Sequence, residues 1–143
     1  TPDLLPDEAE PWLAASDAQG LDRIFLVAPS STDERIALTT RFCRGFVYAA
    51  SVMGVTGTRQ QTSALAPNLV ARTRAHTNLP VGVGLGVSNG DQAAEVAGYA
   101  DAVIVGSAFV RRVLEARGVG DEAAGVVALA AELASGVRRR PAN

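Results

Sequence analysis

Two short runs place glycine and a hydroxyl directly behind an apolar segment. Gly84-Leu85-Gly86-Val87-Ser88 follows Val81-Gly82-Val83, and Gly106-Ser107 follows Ala102-Val103-Ile104-Val105. Glycine lets backbone amides come close to a ligand, and amides at the start of a helix are turned toward an anion by the aligned peptide dipoles. A phosphate suits such a pair, because neither run carries a side chain that moves a proton. Each glycine alone is read first as tight packing; the two runs together point to anion binding at Gly86, Gly106 and Ser107. A third stretch, Ser51-Val52-Met53-Gly54-Val55-Thr56-Gly57-Thr58-Arg59-Gln60, is polar and longer than a usual strand-to-helix connection. With Gly54 and Gly57 to relax the backbone and Thr56 to supply a hydroxyl, it reads as a mobile lid or as a plain surface loop. Tyr48, near a strand end, is either a core aromatic or a polar-tipped pocket wall, and Leu26 and Leu85 are core residues or walls of an apolar pocket.

Positioning these groups requires strands that end side by side. Apolar runs at residues 23–28, 45–50, 81–85 and 102–105 read as strands buried on both faces. Between them the pattern predicts helices over 65–75 and 91–99, the latter capped by Ser88 or Asn89. A further helix runs to Cys43 from a capping box formed by Ser31 and Glu34. Residues 6–20 form an opening helix with Trp12 and Leu13 on its buried stripe, and helices over 107–115 and 122–137 close the chain. Strands alternating with helices predict parallel βα units in a single domain spanning residues 1–143. The working face then lies at the carboxyl ends of the strands. No carboxylate falls at those ends, Asp3 excepted if it closes an earlier strand; Asp22 and Asp101 precede their strands and read as structural.

Composition sets the outer bounds. The chain has 143 residues, a formal net charge of -2 and 48% hydrophobic residues, ordinary values for a soluble globular domain. The one concentrated basic run, Arg138-Arg139-Arg140, reads as a solvated tail and is too short for a nucleic-acid surface. One cysteine, Cys43, and one histidine, His76, exclude an intrachain disulfide and a multi-cysteine or histidine metal cluster. Cys43 is expected to be packed and His76 to sit in a loop or at a helix end. No apolar run reaches membrane-spanning length, so the expected setting is the cytoplasm, with no nucleic acid and no membrane as partners.

The runs 24–35 (IFLVAPSSTDER), 45–57 (GFVYAASVMGVTG), 79–88 (LPVGVGLGVS) and 101–110 (DAVIVGSAFV) resemble the tryptophan synthase α subunit, in particular its actinobacterial forms. The resemblance covers nearly the whole chain in order, and it matches only the C-terminal half of that family's sequence. It implies the C-terminal half of a (β/α)8 TIM barrel, with four parallel strands alternating with helices. The family is a lyase that cleaves indole-3-glycerol phosphate to indole and glyceraldehyde 3-phosphate, and it passes indole to a β subunit that carries pyridoxal phosphate. By the same resemblance Gly84, Gly86, Gly106 and Ser107 match the phosphate cradle. Thr56 and Gly57 match the loop that closes over substrate, Tyr48 a tyrosine beside the reacting group, and Leu26 and Leu85 the indole pocket. The family's catalytic glutamate and aspartate belong to the first half, so no catalytic residue is assigned here, no cofactor is expected in this chain, and the chain alone is expected to be inactive. The alternative is a noncatalytic phosphate-binding half-barrel that self-associates. Another phosphate-binding barrel enzyme, such as a sugar-phosphate isomerase, would share the glycine sites without accounting for SVMGVTG.

Overall fold

The computed structural model describes residues 4–51, 59–116, 118 and 121–139. After a 3-10 turn at Pro6–Glu8, the elements are α1 (Glu10–Ala18), β1 (Leu26–Val27), α2 (Asp33–Phe42), β2 (Val47–Ala50), α3 (Arg59–Arg74), β3 (Val81–Gly84), α4 (Gly90–Ala97), β4 (Ala102–Ile104), α5 (Ser107–Glu115) and α6 (Asp121–Arg138). The four strands form one parallel sheet in the order β1-β2-β3-β4. Sequential parallel strands joined by crossovers of the usual right hand must carry every crossover helix on the same face.

Burial follows from that one-sidedness. Phe25, Val27, Val47, Ala49, Val81 and Val83 are buried with Ile36, Leu69, Val70, Val96 and Leu129, which places the core between sheet and helices. The alternate residues Leu26, Tyr48, Ala50 and Gly84 are only half-buried, and Ala102 is exposed. The expectation of strands buried on both faces holds for Val81, Gly82 and Val83 of β3, whose Gly82 lies under Ile104 and Phe46, and only in part for the other strands, where the alternate residues stay half-buried or exposed among the described residues.

Three boundaries also differ from the sequence reading. The ladder of β1 is limited to Leu26–Val27, because its partner chain turns at Gly45, whose φ is +85. Pairing still continues on either side, with Arg23 and Phe25 carbonyls accepting from Arg44 N (2.9 Å) and Tyr48 N (3.1 Å). The cap of α2 is Thr32 rather than Ser31: its hydroxyl accepts from Arg35 N, while Ser31 Oγ accepts from Ala28 N. Helix α3 begins at Arg59, ahead of the expected 65, and carries Pro67 internally. A proline in that position and a polar run before it both suggest a break that the fold does not make.

The opening helix expected over residues 6–20 divides into the 3-10 turn at Pro6–Glu8 and α1 at Glu10–Ala18. Other expectations hold. Asn89 caps α4, its side chain accepting from Gln92 N, and α5 has the expected bounds. Cys43 is buried at the C-terminus of α2, and burial pushes its thiol pKa up. His76 lies in the turn after α3, its amide bonded to Thr73 O. Asp101 accepts from Val81 N and from Arg74, each at 2.9 Å, which is the structural role expected of it. Trp12 and Leu13 are half-buried rather than a buried stripe; Ser16 is the buried residue of α1. The basic run is not a free tail: α6 extends through Arg138, and Arg139 pairs with Asp91 at 2.8 Å. Arg140 lies outside the described residues.

Helix α6 crosses α4 at two glycines. A methyl placed on Gly136 would stand 2.8 Å from Gly90 Cα, and Gly90 N donates to Glu132 Oε1 at 2.8 Å. The crossing fixes the mouth of α4 next to the carboxyl end of β3.

Candidate functional site

The sheet register aligns the two glycine loops. Gly84 of β3 pairs with Ile104 of β4, so Gly86 and Gly106 each stand two residues beyond a matched pair, at equivalent positions past neighbouring strand ends. Gly86 has φ +72, and no heavy atom within 4 Å would meet a methyl placed on it. The left-handed conformation favours glycine there, while the space around it is open. Gly106 is the N-cap of α5, exposed and equally open, and no side chain caps the helix. Phe109 and Val110 amides bond to Gly106 O, whereas helical geometry gives the Ser107 and Ala108 amides no intrahelical acceptor. With the exposed Ser107 hydroxyl, α5 therefore presents donors and a positive dipole end toward solvent.

The mouth of α4 is built in the opposite sense. Asn89 Oδ1 accepts from Gln92 N (2.9 Å), Gln92 Oε1 accepts from Ser88 N (2.8 Å) and from the Ser88 hydroxyl (3.1 Å), and Glu132 takes the Gly90 amide. Those donors are spent within the chain, so Ser88 is a cap partner rather than a ligand group. Of two adjacent helix mouths, one is closed by side chains and one is open. Sequence reasoning misses Glu132, which takes an amide 42 residues away that only the folded chain brings to it, and Gln92, whose reach back to Ser88 carries no capping signature.

Tyr48 and Gly84 are coupled. A methyl on Gly84 would fall within the Tyr48 phenol, with Cζ 2.7 Å away, so the glycine is what lets the ring lie across β3. Leu26 is in register with Tyr48. Leu85 is buried in the core, while Leu26 and Tyr48 are half-buried. We predict that Gly84→Ala pushes the Tyr48 ring off β3 at a cost of about 1–3 kcal/mol. Adding Tyr48→Leu should recover most of that loss in urea unfolding. A Gly84→Ala chain as stable as the parent, with Tyr48 ring shifts unmoved, would show the two are independent. Thr56 and Gly57 lie outside the described residues, as does Asp3.

Carboxylates near the working face are not arranged for proton transfer. Asp33, in the first turn of α2, pairs with Arg72 at 2.7 Å. Hydrogen bonds from its own amide and from the Thr32 hydroxyl hold the neighbouring Glu34 carboxyl below its usual range. A general acid near neutral pH needs a shift in the other direction. Arg72 also reaches the carbonyls of Pro29 and Ser31, fastening the loop after β1. Among the described residues no three His, Cys, Asp or Glu side chains converge as a metal would require, and no helix is long and apolar enough to cross a membrane. Among the described residues, clefts lie elsewhere: an apolar one of about 310 Å³ between β4, α5 and α6, lined by Val103, Phe109 and Leu133, one of about 380 Å³ by Ala97, Ala102 and Val137, and one of about 360 Å³ by Arg74 and Asp101 at the opposite end of the sheet. None of the three contains Gly84, Gly86 or Gly106.

Residues 1–138 match the model of the family described as tryptophan synthase alpha chain. The chain is 76% identical over 144 aligned residues to the tryptophan synthase alpha chain of Acidothermus cellulolyticus, covering 100% of this chain and 53% of the relative. It is 65% identical to that of Thermobifida fusca, covering 96% and 52%. Among solved structures it resembles tryptophan synthase from M. tuberculosis in its open form with BRD0059 bound, at 53% identity and a TM-score of 0.83, covering 99% of this chain and 50% of that one. The alpha subunit from Campylobacter jejuni is similar at 25% identity with a TM-score of 0.78, covering 89% and 51%. The chain thus spans about half the length of the relatives it matches, and its four parallel strands and helices correspond to half of their barrel.

Proposed function

The chain belongs to the tryptophan synthase alpha chain family, and from that premise we propose that it is the C-terminal half of such a chain. In this reading it supplies the phosphate grip, the closing loop and part of the indole pocket for the cleavage of indole-3-glycerol phosphate to indole and glyceraldehyde 3-phosphate in tryptophan biosynthesis. The observation that carries the reading is the pair of in-register glycine loops beyond β3 and β4, one leading into the uncapped N-terminus of α5. Gly86 admits the anion, the Ser107 and Ala108 amides and the Ser107 hydroxyl donate to it, and Gly106 keeps the approach clear. Gly84 serves this site through Tyr48, whose ring flanks the place where the rest of the substrate would extend, with Leu26 beside it. Thr56 and Gly57 belong to the loop that closes over substrate.

The reaction protonates the ring carbon that leaves the glycerol chain and removes a proton from a glycerol hydroxyl, so it needs a positioned acid and base. Neither Asp33 nor Glu34 fits that task, and the catalytic glutamate and aspartate come from the other half of the family's barrel. The partner of the whole protein is the β subunit, which receives indole and carries pyridoxal phosphate.

The test is a titration with glycerol 3-phosphate followed by amide NMR. Saturable shifts at Gly86, Gly106, Ser107 and Ala108 are expected, with no release of indole from indole-3-glycerol phosphate by the chain alone. Shifts centred on Gly90 and Asn89 instead, or indole release at a rate comparable with a complete alpha chain, would overturn the assignment.

A further inference from the structure

The loop that follows β1 is a closed unit. Ser31 N donates to Ala28 O at 2.9 Å and Ser31 Oγ accepts from Ala28 N at 3.1 Å, so residues 28–31 form a turn bonded to itself in both directions. Thr32 caps α2 directly after it. Such a unit moves as one piece, and its place at the carboxyl end of β1 is set by what holds it from outside. Two side chains do so. Arg35 pairs with Asp7, but both groups are exposed, and a pair of that kind contributes little. Arg72 of α3 has the firmer hold. Its Nε donates to Asp33 Oδ1 at 2.7 Å, one terminal nitrogen donates to Pro29 O at 3.4 Å and the other to Ser31 O. One guanidinium thus serves acceptors in three residues of the same loop, and a planar fork of five donors can do this where an ammonium, a point charge, cannot. The core does not require it. Helix α3 buries Ala66, Leu69, Val70 and Thr73, whereas the Arg72 side chain is 28% exposed.

We propose that Arg72 is a positioning residue for the ring end of the ligand: by holding the 28–33 loop it sets the place of Leu26 beside Tyr48. Leu26 stands two residues ahead of the loop, in a ladder of only two residues, and in register with Tyr48. A shift of the loop therefore passes into Leu26 with little ladder to absorb it. The Ser107 and Ala108 donors lie beyond β4, and β2 and β3 separate that strand from β1. Arg72 thus acts on the apolar end of the ligand and leaves the phosphate end alone. It touches no part of the ligand itself. This role rests on the reading above in which Leu26 and Tyr48 flank the indole ring.

Two ligands separate the ends: glycerol 3-phosphate, which has no ring, and indole-3-glycerol phosphate, both titrated into the chain and followed by amide NMR. The parent is expected to bind the second more tightly, with shifts at Leu26 and Tyr48 that the first does not produce. Arg72→Gln should keep its affinity for glycerol 3-phosphate within about twofold and lose roughly tenfold for indole-3-glycerol phosphate, with the Ser107 and Ala108 shifts retained. Arg72→Lys keeps the charge opposite Asp33 without the fork, so it should behave as the glutamine variant does. In both variants hydrogen exchange at Ser31 N should quicken by about tenfold while Gln92 N, in the cap of α4, is unchanged. A general loss of structure would weaken both ligands alike. Equal losses for the two ligands, no loss for either, or full rescue by lysine would overturn the proposal. A parent that binds both ligands equally would overturn it too and leave the phosphate reading standing. A parent that binds neither would overturn the reading of the site, and this role with it.

Discussion

Ser107→Asp is expected to abolish binding of glycerol 3-phosphate while leaving the chain folded. Ser107 is the first residue of α5, where no side chain caps the helix and its amide and hydroxyl both face solvent. Aspartate there removes the hydroxyl donor, a loss of about 1.5–3 kcal/mol for a bond to a charged acceptor. It also sets a negative charge beside the phosphate. At roughly 4 Å and an effective dielectric near 20, each pair of unit charges repels by about 4 kcal/mol before salt screening. Together these exceed the roughly 2.8 kcal/mol that corresponds to a hundredfold loss in affinity. An acidic residue in the first turn is favourable to the helix itself, so thermal stability should be unchanged or slightly raised. That separation makes the result interpretable: lost binding in a stable chain locates the anion at α5. Ser107→Ala, which keeps the amide and adds no charge, should lose about ten- to a hundredfold, less than the aspartate variant. Undiminished binding by the aspartate variant would place the anion elsewhere.

The parts of this site differ in how far the sequence reveals them. Gly106-Ser107 is legible because a strand, a glycine and a helix start follow one another within a few residues, and the local pattern alone specifies an uncapped helix mouth. Gly86 is legible for the same reason, and its positive φ is what the residue type suggests. The four strands and the asparagine cap of α4 follow from apolar periodicity and local turn chemistry. What escaped the reading depends on contacts between distant elements. Glu132 reaches Gly90 across 42 residues, and Arg72 reaches Ser31 across 41. Leu85 reads from its position as core or as a wall of an apolar pocket, and its burial agrees with the first of these. The strands read as buried on both faces because valine and alanine fill both; β3 is buried so, while the other strands keep one face half-buried. Helix α3 continues through Pro67 and buries Ala66, Leu69 and Val70, and the polar run before Leu65 carries no local signal for a start at Arg59.

Gly136→Leu is expected to cost more stability than any other single change considered above, because its clash is with backbone. The Cβ that any L-residue would add lies 2.8 Å from both Cα and the carbonyl carbon of Gly90, and Gly90 cannot swing aside as a side chain can. The two helices must separate, and over-packing of this kind costs about 1–3 kcal/mol, with leucine at the upper end. Separation also breaks the Glu132 bond to Gly90 N, worth about 1 kcal/mol, and the exposed Arg139–Asp91 pair, worth little. A total near 4 kcal/mol is a large share of the roughly 5–15 kcal/mol typical of a domain and should lower Tm by about 8–16 °C. Gly125 on the same helix is the internal control. A methyl there would meet Arg112 Cβ at 3.6 Å, an ordinary contact, so Gly125→Ala should gain roughly 0.5–1 kcal/mol from helix propensity. The same gain is available to Gly136→Ala, but the crossing should outweigh it and leave that variant less stable than the parent. Calorimetry on the three variants decides the point: if Gly136→Ala gains stability as Gly125→Ala does, α6 does not cross α4 at that distance. The binding site would then lose the support that this crossing gives to the mouth of α4 beside Gly86.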